Sequence, residues 1–427
     1  MFDIFYKKND NNLLFRDLEK NDFSNLQNYN PLYSVYFSLD EHNYNNINLN
    51  NRYCIQNIKK NNSNNEYVID CFDSKTNTKQ KFNSFFKFSP LLDPVKFMVG
   101  KYKHIDKQII SSLPRISSNT CSKKVLDSNN SAYVDSFFSY LSSKLLNNSG
   151  FIHGFNFFGS FLTIQNQFKL NIYDDLDYLY DSDFFHKNKN NLFKVDDIDE
   201  EKLLDSDTRN YRKKIKLDKN NDSVNITCDT IDNQIFEGMF QDLTTKNLKL
   251  HDSSIEEEYS IDKTNSKKKS AKKTNSTCSS RSSNTDMDDS NNSSSSSGDD
   301  LIESLSNSQI SDYSTMNSDE IINGTIFNFP VQMICMEKLD NTLDSLLEDD
   351  ENELTDNEWK SCLFQIIMIL ITYQKVFNFT HNDLHTNNIM YVKTDKTFIN
   401  YKYNNVYYKI PTYGKLYKII DFGRAIY

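Results

Sequence analysis

Residues 174–324 are built mainly from Asp, Glu, Ser, Asn and Lys, with tracts such as Ser293–Ser297. A stretch so poor in apolar side chains cannot bury enough area to offset the entropy lost on ordering. It is expected to be a long disordered insertion. Whatever folds must then be assembled from what flanks it. The sequence divides into an N-terminal extension (1–50), a strand-rich block (51–173), the insertion (174–324) and a second block (325–427).

Composition narrows the function classes. Apolar residues are 37% of the 427 residues and the mean hydropathy is -0.68, which fits a chain with a large unpacked part. Thirty-one Phe and 25 Tyr can still supply aromatic cores. A net charge of -10 speaks against a broad nucleic-acid-binding surface. Seven scattered cysteines without a C-x-x-C pair suggest free thiols in a reducing compartment. Met1–Lys8 lacks the apolar run of a signal peptide. The most apolar stretch, 363–371, falls short of the roughly 20 residues that span a bilayer. A soluble intracellular protein, without membrane or nucleic-acid partners, is expected.

In the strand-rich block, Tyr53-Cys54-Ile55 and Tyr67-Val68-Ile69 favour β-structure, and a third run covers 82–88. Ser131–Leu146 has Val134, Phe137, Phe138, Leu141 and Leu145 at helical spacing, with a stop at 147–150. A buried strand is expected over 155–164 and another over 331–336. Thr355 and Glu358 form a capping box that opens a strongly apolar helix running to about Val376. Trp359, Leu363, Ile366, Ile367, Leu370 and Tyr373 share its expected core face, which Met368 and Ile371 widen.

The chemistry-bearing residues follow. His381-Asn382-Asp383-Leu384-His385-Thr386-Asn387-Asn388 lies between the apolar helix and a short strand, 389–392. Asp421-Phe422-Gly423 follows the apolar pair Ile419-Ile420. One carboxylate base, one amide and a second carboxylate are the groups needed to hold a magnesium nucleotide and orient an attacking hydroxyl. The spacing matches H-x-D-L-x-x-x-N followed by D-F-G, and here the chain resembles the protein-kinase-like superfamily. The order of elements agrees: strand, short segment, buried helix, loop.

That resemblance implies an α+β, bilobal fold. A small antiparallel-sheet N-lobe would join a mainly helical C-lobe that is incomplete here, because the chain stops at Tyr427, four residues past Gly423. It implies ATP and Mg²⁺ as cofactors. It makes Asp383 the catalytic carboxylate, His381 the scaffold of the loop, and Asn388 and Asp421 the metal ligands. Lys87, at the end of Phe85-Phe86-Lys87, would hold the nucleotide phosphates, and Asp135 on the 131–146 helix would pair with it. Met336 would border the adenine, with Glu337 and Leu339 offering backbone groups. The acceptor would be a hydroxyl of a protein or of a small molecule. His385 stands where protein Ser/Thr kinases usually carry Lys, which hints at the small-molecule members.

There are departures. None of the nine glycines precedes Gly100, so no G-x-G-x-x-G can precede Lys87. Asn382 replaces the Arg of H-R-D. An isolated chain ending here is expected to show little phosphotransfer, and a pseudokinase scaffold is the non-enzymatic alternative. The long polar insertion and the Ser-Pro-Leu-Leu-Asp-Pro segment (89–94) are similar to the kinase-like proteins of giant DNA viruses. That would place the chain in host cytoplasm, or in the nucleus through the basic run 267–273. The acidic insertion could recruit partners.

Overall fold

The computed structural model describes residues 4–8, 11–60, 65–116, 121–196, 322–348 and 353–427. The strands in chain order are β1 (Tyr6–Lys8), β2 (Phe23–Gln27), β3 (Ile47–Leu49), β4 (Tyr53–Lys60), β5 (Glu66–Asp73), β6 (Thr78–Pro90) and β7 (Phe157–Asn171). They continue with β8 (Phe193–Val195), β9 (Asn323–Glu337), β10 (Asn341–Thr342), β11 (Ile389–Lys393), β12 (Phe398–Tyr403), β13 (Val406–Pro411) and β14 (Lys415–Ile419). The architecture is α+β, and its named strand pairs are antiparallel.

The largest sheet runs β2-β7-β9-β6-β5-β4, with β8 also paired to β9. Side chains alternate across a strand. In β6 this puts Phe86 and Phe88 in the core, while Phe85 and Lys87 take the opposite face. Lys87 is level with Ile334, and Phe85 with Met336. The expected strands 155–164 and 331–336 are the middles of the much longer β7 and β9. The N-terminal extension joins this sheet through β2, which pairs with β7.

The helix Ser131–Ser149 lies against β7 and β9. The Asn130 side chain caps its start by accepting from Ala132 N–H, and Gly150 ends it in the left-handed conformation, φ +68°. Nearly every side chain from Ala132 to Leu145 is buried, including the carboxylate of Asp135.

The expected insertion starts later than position 174. Residues 173–196 fold into two short helices, Leu176–Tyr180 and Asp183–Asn188, followed by β8. Leu176, Leu179, Phe185, Phe193 and Val195 are buried there, with Phe185 stacked on Phe193 at 5.3 Å. These five buried apolar anchors order a segment otherwise rich in Asp, Asn and Lys. Phe184 packs so tightly over Gly100 that a Cβ at that position would sit 2.4 Å from the ring. At the far end, β9 opens at Asn323 rather than after 324. The basic run 267–273 and the serine tracts lie outside the described residues.

The second large helix is Asp356–Phe377. Its capping box is formed, and Asn378 closes it with φ +55°. The expected core face needs correction. Ile366, Met368 and Tyr373 are buried, but Leu363 and Ile367 are 52% and 53% exposed. The buried face includes the polar Ser361 and Gln365, which are there to bind strand backbone. Ser361 Oγ donates to Pro411 O at 2.5 Å, and Gln365 Nε2 to Lys415 O at 3.3 Å. Tyr417 N–H donates to Gln365 Oε1 at 3.1 Å. Counting apolar residues alone therefore rotated the face. Among the described residues this is the one helix long and apolar enough to cross a membrane, although core helices pass the same test. A small sheet, β10-β11-β14, completes this part of the fold and carries the candidate loop between the helix and β11.

Candidate functional site

A cleft of about 800 Å³ opens beside the exposed-side residues of β6. Lys87, Met336, Glu337, Leu339 and Asp421 all line it, together with Lys60, Asn65 and Glu66 from the ends of the β4–β5 hairpin. Five positions marked by the sequence thus share one cavity, although they come from three segments.

Lys87 is the centre of the charge arrangement. Its Nζ lies 2.8 Å from Asp135 Oδ2 and 3.0 Å from Asp421 Oδ1. Burial works against the ammonium, but the two carboxylates outweigh it and hold the lysine above its ordinary range. Asp135 moves upward because it is buried and because Asp421 adds a second negative charge, which one ammonium only partly offsets. The shorter Asp reaches the lysine without strain in the register, since Asp135 Oδ1 also accepts Phe422 N–H at 2.8 Å. One carboxylate therefore ties the helix, the β6 lysine and the 421–423 turn together.

Asp421 itself has φ +59°, a left-handed value that Asp tolerates better than bulkier residues. The turn sends Phe422 into a fully buried aromatic cluster: Phe138 at 4.6 Å, Phe379 at 5.9 Å, and Phe155 stacked at 6.1 Å.

The loop is fastened to the same turn. Thr380 and Ile426 exchange backbone hydrogen bonds of 2.9 and 3.0 Å. His381 is buried and its Nε2 lies 3.0 Å from Ile420 O. A carbonyl only accepts, so that nitrogen carries the proton. Burial pushes the imidazole pKa down, so it is a neutral strut rather than an acid–base group. Ile420 N–H donates to Asn388 O at 3.0 Å.

Asn388 spends both amide hydrogens inside the loop, on Asp383 O at 2.9 Å and on His385 Nε2 at 3.0 Å. Its Oδ1 is buried and has no partner. An orphaned amide oxygen of this kind is costly unless something electropositive meets it. The Asp383 side chain accepts from Arg424 Nη1 at 3.0 Å, and Asn382, at φ +63°, donates from Nδ2 to Arg424 O at 3.0 Å. Asp383, His381 and Asn388 are not in the cleft wall itself. They adjoin it through Ile420 and Asp421.

Two hard oxygens, Asn388 Oδ1 and the Asp421 carboxylate, are suited to a magnesium ion that keeps its remaining sites for water and phosphate. Among the described residues no three His, Cys, Asp or Glu side chains form a metal cluster.

At the other wall, Glu337 N–H is taken by Asn156 O at 2.8 Å, and the Glu337 carboxylate accepts Asn156 N–H at 2.9 Å. The buried Lys418 also approaches that carboxylate, at 3.4 Å. Lys338 pairs with Glu66 at 2.7 Å and so joins the 336–339 strip to the β4–β5 hairpin. Sequence reasoning missed Arg424, Lys338 and Glu66. Arg424 directly follows Asp421-Phe422-Gly423 and could have been flagged on that ground. Nothing in the sequence pointed to the pair across the cleft.

No family model matches the chain. Over 67 residues, 15% of this chain, it is 40% identical to an uncharacterized protein of Invertebrate iridescent virus 6, of which that stretch is 11%. Over 88 residues, 19% of this chain, it is 39% identical to a probable serine/threonine-protein kinase of Dictyostelium discoideum. That stretch is 7% of the Dictyostelium protein, so the chain spans about a tenth or less of the relatives it matches.

Proposed function

We propose that the chain carries the ATP- and Mg²⁺-binding site of a protein-kinase-like phosphotransferase, with a protein serine or threonine hydroxyl as acceptor. The observation that carries this reading is the pairing of Lys87 with Asp135 and Asp421, at 2.8 and 3.0 Å, where Lys87 and Asp421 line a cleft of nucleotide size. The partial identity to a probable serine/threonine-protein kinase supports the same class.

On this reading the β2–β9 sheet and the β10–β14 sheet belong to two lobes with the cleft between them. The adenine edge bonds the backbone of Glu337 and Leu339 beside Met336. Lys87 is held charged by its carboxylates and binds the α- and β-phosphates. Asn388 and Asp421 hold Mg²⁺, which neutralises charge on the transferring phosphoryl group. Asp383 accepts the acceptor's proton as the hydroxyl oxygen bonds the γ-phosphorus and the bond to the β-phosphate oxygen breaks, leaving ADP. His381 keeps the loop in place. The hint of a small-molecule acceptor from His385 weakens, because that imidazole is engaged by Asn388 within the loop.

The β4–β5 hairpin has no glycine to let backbone N–H groups close on the phosphates, so nucleotide affinity is expected to be modest. Thermal unfolding with ATP, with and without Mg²⁺, tests the reading. A rise in the midpoint that needs both is expected, since a ligand that binds the folded state stabilises it. No rise at millimolar ATP and Mg²⁺ would favour the scaffold alternative.

A further inference from the structure

Asp383 and Arg424 form an ion pair that folding does not explain. The side chains are 25% and 30% exposed, so water reaches both partners and the pair adds little to folding. Yet Arg424 is positioned with care. Its carbonyl is held by Asn382, whose left-handed backbone points the amide at it. The residues on either side are fixed too: Ala425 N–H bonds Phe422 O at 2.9 Å, and Ile426 is bridged to Thr380.

A guanidinium has five N–H donors, and Asp383 takes one of them at Nη1. Lys87 is committed to Asp135 and Asp421. His385, two residues past Asp383, is engaged through Nε2 by the Asn388 side chain. Phosphoryl transfer to a hydroxyl bound at Asp383 brings a terminal phosphate up against that carboxylate. Two anions in contact need a cation between them, and a planar guanidinium can bond both.

We propose that Arg424 recognises the terminal phosphate of a bound nucleoside triphosphate, bridging it to Asp383. This rests on the reading that the cleft holds ATP. It makes the site selective for triphosphate over diphosphate.

The test is binding, which needs no turnover. Dissociation constants for a non-hydrolysable ATP analogue and for ADP, each with Mg²⁺, are measured on the full chain. In Arg424→Gln the triphosphate analogue should weaken by about tenfold, the scale of one charge-assisted contact, while ADP stays within about twofold. Arg424→Lys should keep part of the preference. Asp383→Asn should act in the opposite direction and tighten the triphosphate, because it frees the guanidinium and removes a negative charge. A purely structural pair would move both nucleotides together in both variants. An unchanged preference in Arg424→Gln overturns this assignment and leaves the nucleotide site standing. Failure of the unaltered chain to bind either nucleotide overturns the site itself, and the assignment with it.

Discussion

The molecule has two ionic clusters, joined through the Asp421–Arg424 turn, that differ in how far water reaches them. Lys87, Asp135 and Asp421 have side chains only 12%, 3% and 8% exposed, whereas Asp383 and Arg424 are 25% and 30% exposed. In the buried cluster each charge depends on the others, because an unpaired ion in low dielectric is expensive. In the open cluster water screens both partners, and either can be lost cheaply. One arrangement therefore fixes the shape of the cleft as well as its charge. The other is free to take a ligand beside its partner.

The comparison can be broken most directly at Lys87. Lys87→Met leaves two carboxylates facing each other in the core and should destabilise the fold by about 3–5 kcal/mol, read from urea unfolding. A loss below about 1 kcal/mol would mean that the cluster is not structurally coupled.

A second buried group sharpens the point through pH. His153 lies between Tyr417 O, at 2.7 Å from Nδ1, and the Tyr401 hydroxyl, at 2.8 Å from Nε2. Burial pushes its pKa down to about 4. The unfolded chain binds the proton near pH 6.5, so stability is full above that pH and falls as the pH drops towards 4. The loss should reach about 3 kcal/mol over that window. In His153→Gln this part of the slope between pH 7 and 5 should vanish. An unchanged slope would contradict it.

The smallest expected effect is at the open pair. Arg424→Gln should change unfolding free energy by about 0.5 kcal/mol or less. A loss as large as that of Lys87→Met would erase the distinction between the two clusters.

What could be read from the sequence follows the same division. The octet 381–388, the turn 421–423 and the helix from Ser131 were legible because their signals are local: fixed spacings, caps and a helical period. Lys87 was marked because it closes an apolar-apolar-Lys run, Phe85-Phe86-Lys87, on an expected strand. Residues 173–196 were misread because their few anchors only become visible as a core once Phe184 meets Gly100 and Phe185 meets Phe193. The buried face of the Asp356–Phe377 helix was misplaced because Ser361 and Gln365 are buried for hydrogen bonding rather than for hydrophobicity. The pairing of Arg424 with Asp383 and the Lys338–Glu66 pair depend on long-range geometry that spacing does not encode.

The central claim is that Asn388 and Asp421 meet one divalent ion beside a nucleotide held by Lys87. Manganese titration followed by electron paramagnetic resonance tests it without relying on turnover. The account predicts that, with ATP present, the free-Mn²⁺ signal is depleted by a single bound ion per chain, and that Asp421→Asn and Asn388→Ala each abolish this binding. Equal Mn²⁺ binding by the unaltered chain and both variants, or none by any of them at saturating ATP, would contradict it.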